Sequence, residues 1–432
     1  MKLKRVAAIL LASTMIFGMV GCGSKETAEK KETENSQKIT IWAWDESFNI
    51  HAANEAKEIY AGINPDVEVE VVTMAQDDIV AKLNTSLSSG AYEGLPNIVL
   101  IEDYRIQGYL NAYQEEFADM AGVASADDFA EYKTGMNSVD GTMYGIPFDS
   151  GIAALFYRTD LVEEAGYTQE DMQDITWDKL IEVGHAVKEK TGTDMLTLDP
   201  SDIGQIRMTL QSAGSWYTGQ DESVTIAGNQ ALKDSINTYE KLATSGLAKT
   251  ISDWDQYVGA TNNGEVFCVP TGCWFSPSIA NAEDQSGKWA VAAFPRMAEN
   301  ADSVNASALG GAGWYVLKNV GNEELAKDFL KETFASNVDL MNQLADDINL
   351  VSTLKAASTG ENYSREVEFF GGQELFKDFA TWTEVIPSVN FGESTYAIED
   401  MMTEAVQAIL NGADMDSTLE DYQKQIEAAI AK

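Results

Sequence analysis

Acidic and aromatic side chains occur together in two short runs, Trp44-Asp45-Glu46 and Glu102-Asp103-Tyr104-Arg105, and a further carboxylate, Asp149, stands in Asp149-Ser150-Gly151. Carboxylates and guanidinium groups hydrogen-bond sugar hydroxyls bidentately, and an aromatic ring stacks on the C–H face of a pyranose. The same residue types equip a glycoside hydrolase, which needs two carboxylates roughly 5–10 Å apart. Asp45 or Glu46, or Asp103 with Asp149, can be drawn as such a pair. With 69 acidic residues in the chain, a pair is easy to find. Binder and hydrolase therefore both stand on these residues, and no catalytic residue is assigned.

Other chemistries find less support. The only two histidines, His51 and His185, are far apart in sequence, so a zinc helix built on a histidine pair is unsupported. His185 lies between Val183 and Val187 and reads as a structural histidine. No Gly-x-Ser-x-Gly elbow occurs. Gly310-Gly311-Ala312-Gly313 lacks the lysine and the spacing of a phosphate loop. Gly310 and Gly311 read either as a close backbone approach at a cleft or as the plain lead-in to a strand. Neither a metal nor a cofactor is expected.

The elements that carry these residues follow from periodicity. Ile39-Thr40-Ile41-Trp42 and Val67-Glu68-Val69-Glu70-Val71 alternate as strands, and Asn97–Ile101 is an apolar strand. Between them, Ala52, Ala56, Ile59 and Ile63, then Ile79, Leu83 and Leu87, recur at helical spacing. The order β-α-β-α-β predicts a largely parallel sheet with helices on both faces. Ligands of such sheets sit beyond the carboxyl ends of the strands, where Trp44–Glu46 and Glu102–Arg105 fall. Further along, Thr176 is the N-cap of a helix with Leu180, Val183 and Val187 on its apolar face. Trp216, Trp254 and Trp274 lie in loops or at a strand end, where an aromatic is informative. Trp42, Trp177, Trp289 and Trp314 read as core.

Composition sets the compartment. The 432 residues carry a net charge of -40, an acidic surface that repels nucleic acid and anionic lipid. A basic start (Lys2, Lys4, Arg5) precedes a short apolar run, Val6–Val20, which makes residues 1–21 a secretory signal peptide. Val20-Gly21-Cys22 resembles a bacterial lipobox, which implies cleavage before Cys22 and a diacylglyceride on its thiol. Two acyl chains suffice for stable anchoring. Residues 22–37 are polar and charged and read as a disordered tether. Cys268 and Cys273 flank a short turn; a disulfide is permitted after export, but two small buried hydrophobes is the favoured reading.

One stretch carries a family resemblance. In Gly141–Gly166 an Asp140-Gly141 turn is followed by Tyr144-Gly145-Ile146-Pro147, the apolar run Ile152–Tyr157 with Arg158, and Asp160-Leu161 leading to Gly166. This ordered set resembles the first inter-lobe crossing of extracellular solute-binding proteins of sugar ABC transporters, the maltose-binding-protein-like family. Gly272-Cys273-Trp274 resembles the family's Gly-x-Trp after a strand. The likeness runs from about Ile39 to about Ile426 and is closest to the branch for plant-wall or α-linked oligosaccharides.

The resemblance implies an α/β, two-lobed periplasmic-binding-protein-like fold, each lobe a mostly parallel sheet flanked by helices, with a hinge between. Residues 38–146 and 296–336 would form the N-terminal lobe, and 147–295 and 337–432 the C-terminal lobe. It further implies that Trp274 stacks on sugar, that Arg105 and Asp149 contact it, and that a late aromatic platform falls in Phe391–Tyr396. The expected function is capture of an oligosaccharide, without catalysis, and delivery to ABC transporter permease subunits. The protein would be a monomer held at the cell surface, on the outer face of the cytoplasmic membrane, by its lipid. A glycoside hydrolase and a binder of a non-sugar such as a polyol are the competing readings.

Overall fold

The structure is a computed structural model in which residues 37–219 and 221–430 are described. The leader, Cys22 and all of the tether but residue 37 lie outside the described residues.

The first sheet has the strand order Glu68–Thr73, Lys38–Ala43, Ile98–Glu102, Ala312–Val316, Gly145–Pro147. Its first three strands are parallel, with Ile41 opposite both Val71 and Ile98. Helices Asn49–Ile63 and Gln76–Ser89 connect them, and Gly90 ends the second in the left-handed region at φ 68. This is the β-α-β-α-β unit expected from periodicity. Ala312–Val316 then enters from the far end of the chain, antiparallel, placing Trp314 opposite Leu100 on one side and Ile146 on the other.

The second sheet is built on Ile152–Arg158, whose seven residues are all buried. Cys268–Gly272, Trp289–Ala293 and the short Ser307–Ala308 all pair with it antiparallel. The expectation of a mostly parallel sheet in each lobe therefore fails here. A parallel sheet is made by strands that all run one way through crossover helices, whereas each of the three later strands returns beside Ile152–Arg158 in the opposite direction. Parallel pairing persists between Leu196–Leu198 and Ala248–Thr250 and in the single bridges Thr176 to Arg296 and Asp194 to Val266.

Three segments join the two sheets side by side. Besides 148–151, the chain returns through Leu309-Gly310-Gly311, because Ser307–Ala308 still pairs with the second sheet. The return is thus later than Pro295. A third segment runs beside the first, with Asp149 bridged to Ser352 and Ser150 N donating to Val351 O at 2.8 Å. The helix before it, Val338–Asp347, packs on Asn49–Ile63, and Gln343 Nε2 donates to Glu55 Oε2 at 2.8 Å. The amphipathic pattern of 338–347 defines an apolar face but not which sheet that face covers. Gly151 has φ +58, and a Cβ there would lie 2.5 Å from Gly310 O, so the first two crossings approach as closely as they do only through glycine.

Trp42, Trp177, Trp289 and Trp314 are core, as their positions indicated. Thr176 caps Trp177–Thr191 by accepting from Lys179 N at 3.2 Å. His185 is exposed on that helix rather than structural, since the buried face is Leu180, Val183 and Val187. Cys268 and Cys273 are buried and unpaired, as two small hydrophobes would be. Among the described residues no helix is long and apolar enough to cross a membrane, and no group of side chains could hold a metal ion.

Candidate functional site

A cavity of about 820 Å³ lies where the strand ends of both sheets meet the crossings. Its size is that of a site for a ligand of several rings. Of the residues singled out in the sequence, the cavity wall brings together Trp44, Asp45, Glu102, Asp149, Trp274, Gly310, Gly311 and Tyr396.

Trp44 and Asp45 follow the Lys38–Ala43 strand, and their backbone N–H groups both donate to Asn49 Oδ1 at 3.0 Å, which turns the chain into the next helix. Glu102 ends the Ile98–Glu102 strand. Its Oε2 accepts from Tyr396 Oη at 2.7 Å and from Gln76 Nε2 at 3.4 Å, with Arg105 Nε also 3.4 Å away. Asp149, on the first crossing, accepts from Ala312 N at 2.8 Å. Burial pushes its carboxyl above the usual carboxylate range, opposed by the nearby Lys133 charge and the Ala312 N–H.

Trp274 sits in a single helical turn, Cys273–Phe275, directly after Cys268–Gly272. Its Nε1 donates to Leu309 O at 2.9 Å. A Cβ on Gly272 would lie 2.1 Å from that Nε1, so the indole folds back over a residue with no side chain. Beside it, Trp254 opens the helix Trp254–Asn262 and is 54% exposed, with the two indoles 6.1 Å apart and 31° from coplanar. A large apolar ring left half in solvent against a cavity offers a face on which a ligand ring can stack.

Five candidates lie off this wall, each for a local reason. Glu46 is exposed in the turn after Asp45. Asp103 is buried behind Gly311, where Lys133 Nζ donates to its two oxygens at 2.7 and 2.6 Å and to Ala312 O at 3.0 Å. Arg105 lies over the Tyr396 ring at 4.4 Å, on a separate concavity behind it. Trp216 and Phe391 pack with Tyr104 in an aromatic cluster; Trp216 is 2% exposed and its Nε1 donates to Thr395 Oγ1 at 3.0 Å.

Sequence reasoning missed Arg207, Gln76 and Asp202, and noted Trp254 as an informative aromatic without giving it a site role. Arg207 lines the cavity from helix Gly204–Ser212, stacked 4.8 Å over Tyr104 and 3.3 Å from Glu399 Oε1. It shares a helix face with Ile203 and Leu210, at i−4 and i+3, and a lone cation on an apolar face is a signal. The wall carries Asp45, Glu102, Asp149, Asp202 and Asp347 against this one arginine. Such a lining suits neutral hydroxylated ligands and disfavours anions.

Residues 52–371 match the family of bacterial extracellular solute-binding proteins. A lactose-binding protein of Rhizobium radiobacter is 39% identical over 388 residues, covering 90% of this chain and 92% of that one. An arabinooligosaccharide-binding protein of Bacillus subtilis is 26% identical, covering 76% of each. Among solved structures, the sugar-binding protein MalE of Xanthomonas citri superposes with a TM-score of 0.75 at 17% identity, covering 91% of this chain and 97% of that one.

Proposed function

Because the chain belongs to the bacterial extracellular solute-binding protein family, we propose that it captures a short neutral oligosaccharide between its two lobes and delivers it to an ABC permease. The observation that carries this reading is one cavity wall on which the indoles of Trp254 and Trp274 stand beside the carboxylates of Glu102, Asp149 and Asp202. Indole faces take the C–H face of a pyranose, and the carboxylates take its hydroxyls. The likeness to a lactose-binding protein makes a galactoside the first ligand to test, ahead of the arabino- and malto-series.

The protein acts as a monomer, catalyses no reaction, and is held on the outer face of the cytoplasmic membrane by a diacylglyceride on Cys22. The three adjacent crossings serve as the hinge, so that rocking of the lobes encloses the sugar. Lactose, arabinobiose and maltose are titrated by calorimetry. One should stabilise the protein by about 2.7 kcal/mol at a hundredfold excess over Kd and be recovered intact. Cleavage of the sugar would instead support a glycoside hydrolase. For the anchor, Cys22→Ala should release the protein from the membrane fraction or leave the leader uncleaved. A variant that fractionates and migrates like the wild type would remove the lipid from the account.

A further inference from the structure

Behind the cavity wall the chain buries a lysine. Lys133, on the short helix Glu131–Met136, is 1% exposed. An ammonium removed from water is costly unless it is paired and hydrogen-bonded. Here its three protons have three acceptors: Nζ donates to Asp103 Oδ1 at 2.7 Å, to Asp103 Oδ2 at 2.6 Å and to Ala312 O at 3.0 Å. Ala312 in turn donates its N–H to Asp149 Oδ1 at 2.8 Å. One residue of the returning segment is thus held by a cation at its carbonyl and by a carboxylate at its amide. A Cβ on the preceding residue, Gly311, would lie 2.5 Å from Asp103 Oδ2 and 3.2 Å from Lys133 Nζ. Gly311, Ala312 and Asp149 all line the large cavity, so the ammonium stands directly behind its wall.

Two carboxyls, Asp103 and Asp149, share the charge of this lysine. Glu102 adds a further negative charge beside Asp103. Burial pushes the hydroxyls of Tyr132, Tyr315 and Tyr363 and the thiol of Cys273 up, so these neighbours stay uncharged at and below neutral pH. Asp103 holds its proton below about 7, which leaves the lysine's charge to Asp149. On Asp149 burial favours the protonated form and Lys133 opposes it.

Resting on the function proposed above, we infer that Lys133 is a positioning residue for sugar capture, which through Ala312 fixes the glycine turn of the cavity wall and keeps Asp149 ionised to accept from a sugar hydroxyl. A hydrogen bond to a charged carboxylate is stronger than one to its neutral form, so sugar is held while Asp149 is ionised and let go as it takes up a proton. Affinity is then full above the pKa of Asp149 and is lost as pH falls through it. Removing the lysine leaves burial unopposed and moves that loss to higher pH.

The affinity of the full chain for lactose, arabinobiose and maltose is measured by calorimetry between pH 4 and pH 8. For a sugar that binds, affinity should be level near neutrality and fall by up to about tenfold per pH unit on the acid side, with a proton released on binding there. Lys133→Met combined with Asp103→Asn takes away both halves of the charged pair, so the variant should fold, which its circular dichroism checks. Its acid limb should lie about one pH unit above that of the wild type. Asp103→Asn alone keeps the cation and should leave the limb in place. A lysine with a merely structural role would lower affinity equally at every pH. A limb that the double variant does not move, or that Asp103→Asn moves as far, overturns the role of Lys133 and leaves the proposed function standing. Sugar binding by the wild type with no proton exchanged anywhere in this range does the same without any variant. Failure of all three sugars to bind at any pH overturns the proposed function as well.

Discussion

The indole Nε1 of Trp274 donates to the carbonyl of Leu309 at 2.9 Å, which ties a cavity-lining ring at the end of the second sheet to the segment that returns to the first. The platform is therefore attached to the hinge rather than to a free loop. Its rotamer depends on Gly272, whose missing side chain leaves the space that the indole fills.

Gly272→Ala should displace that indole, because the added methyl would lie 2.1 Å from Nε1 and 2.7 Å from Cδ1. Sugar affinity should fall at least tenfold, the scale expected for losing one well-placed aromatic contact. The circular dichroism spectrum should stay that of the wild type. Unchanged affinity would mean that the indole's position is immaterial to binding.

Trp254 and Trp216 should behave oppositely when truncated. Trp254→Ala removes a ring that is 54% exposed, so it should weaken sugar binding by about 1–3 kcal/mol and barely move the melting temperature. Trp216→Ala removes a ring that is 2% exposed and takes away the N–H that the Thr395 hydroxyl accepts, so it should cost about 3–5 kcal/mol of stability. Calorimetric unfolding with and without sugar separates the two effects. The roles are reversed if Trp254→Ala proves to be the unstable variant.

The buried carboxylates behind the glycine turn predict a pH dependence. Burial pushes Asp103 up to about 7 from 3.8, against the opposing charge of Lys133. A carboxyl whose folded pKa is raised holds its proton longer in the folded state. Its contribution is thus present below about pH 4 and is lost as pH rises through about 7. Asp103→Asn carries no titrating proton, so its melting temperature should decline less than that of the wild type between pH 4 and pH 8. Parallel curves for the two proteins would assign the dependence to other groups.

Tyr396 reaches Glu102 from the helix Thr395–Leu410, which also holds Arg207 through Glu399. Tyr396→Phe deletes a hydrogen bond to a carboxylate, a change of about 1.5–3 kcal/mol, in favour of separating the two sides of the cavity. Small-angle scattering of the sugar-free variant should give a larger radius of gyration than the wild type. Superimposable profiles would mean that this bond does not hold the cavity closed.

What the sequence made legible was local. The alternation in Val67–Val71, the Thr176 cap and the apolar run Ile152–Tyr157 each sit in the element their pattern indicates. Trp274 stands out through the resemblance of Gly272-Cys273-Trp274 to the family's Gly-x-Trp after a strand, and it lines the cavity. Partners distant in sequence were not legible. Nothing in Ala312–Val316 says that it runs antiparallel between Ile98–Glu102 and Gly145–Pro147, since a fully buried run has no face to set its register. Asp103 and Arg105 look equivalent to Glu102 on paper. Only the helix that starts at Asp103 turns the first into the core and the second behind Tyr396. Arg207 and Glu399 escaped because each sits in an ordinary amphipathic helix, and their meaning lies in each other.

The strand pairing of Trp314 with Leu100 also sets the order in which the molecule can form. The first sheet holds its two final strands only after the chain up to Val316 is available, with the whole second sheet made in between. Contacts spanning more than two hundred residues close slowly, because the intervening chain must be gathered before they form. A polypeptide emerging through a translocation channel therefore stays loose until late. Its first lobe is completed by a segment that follows the whole second sheet in the chain, and the cavity, which needs Gly310 and Gly311 on that same returning segment, forms only after it.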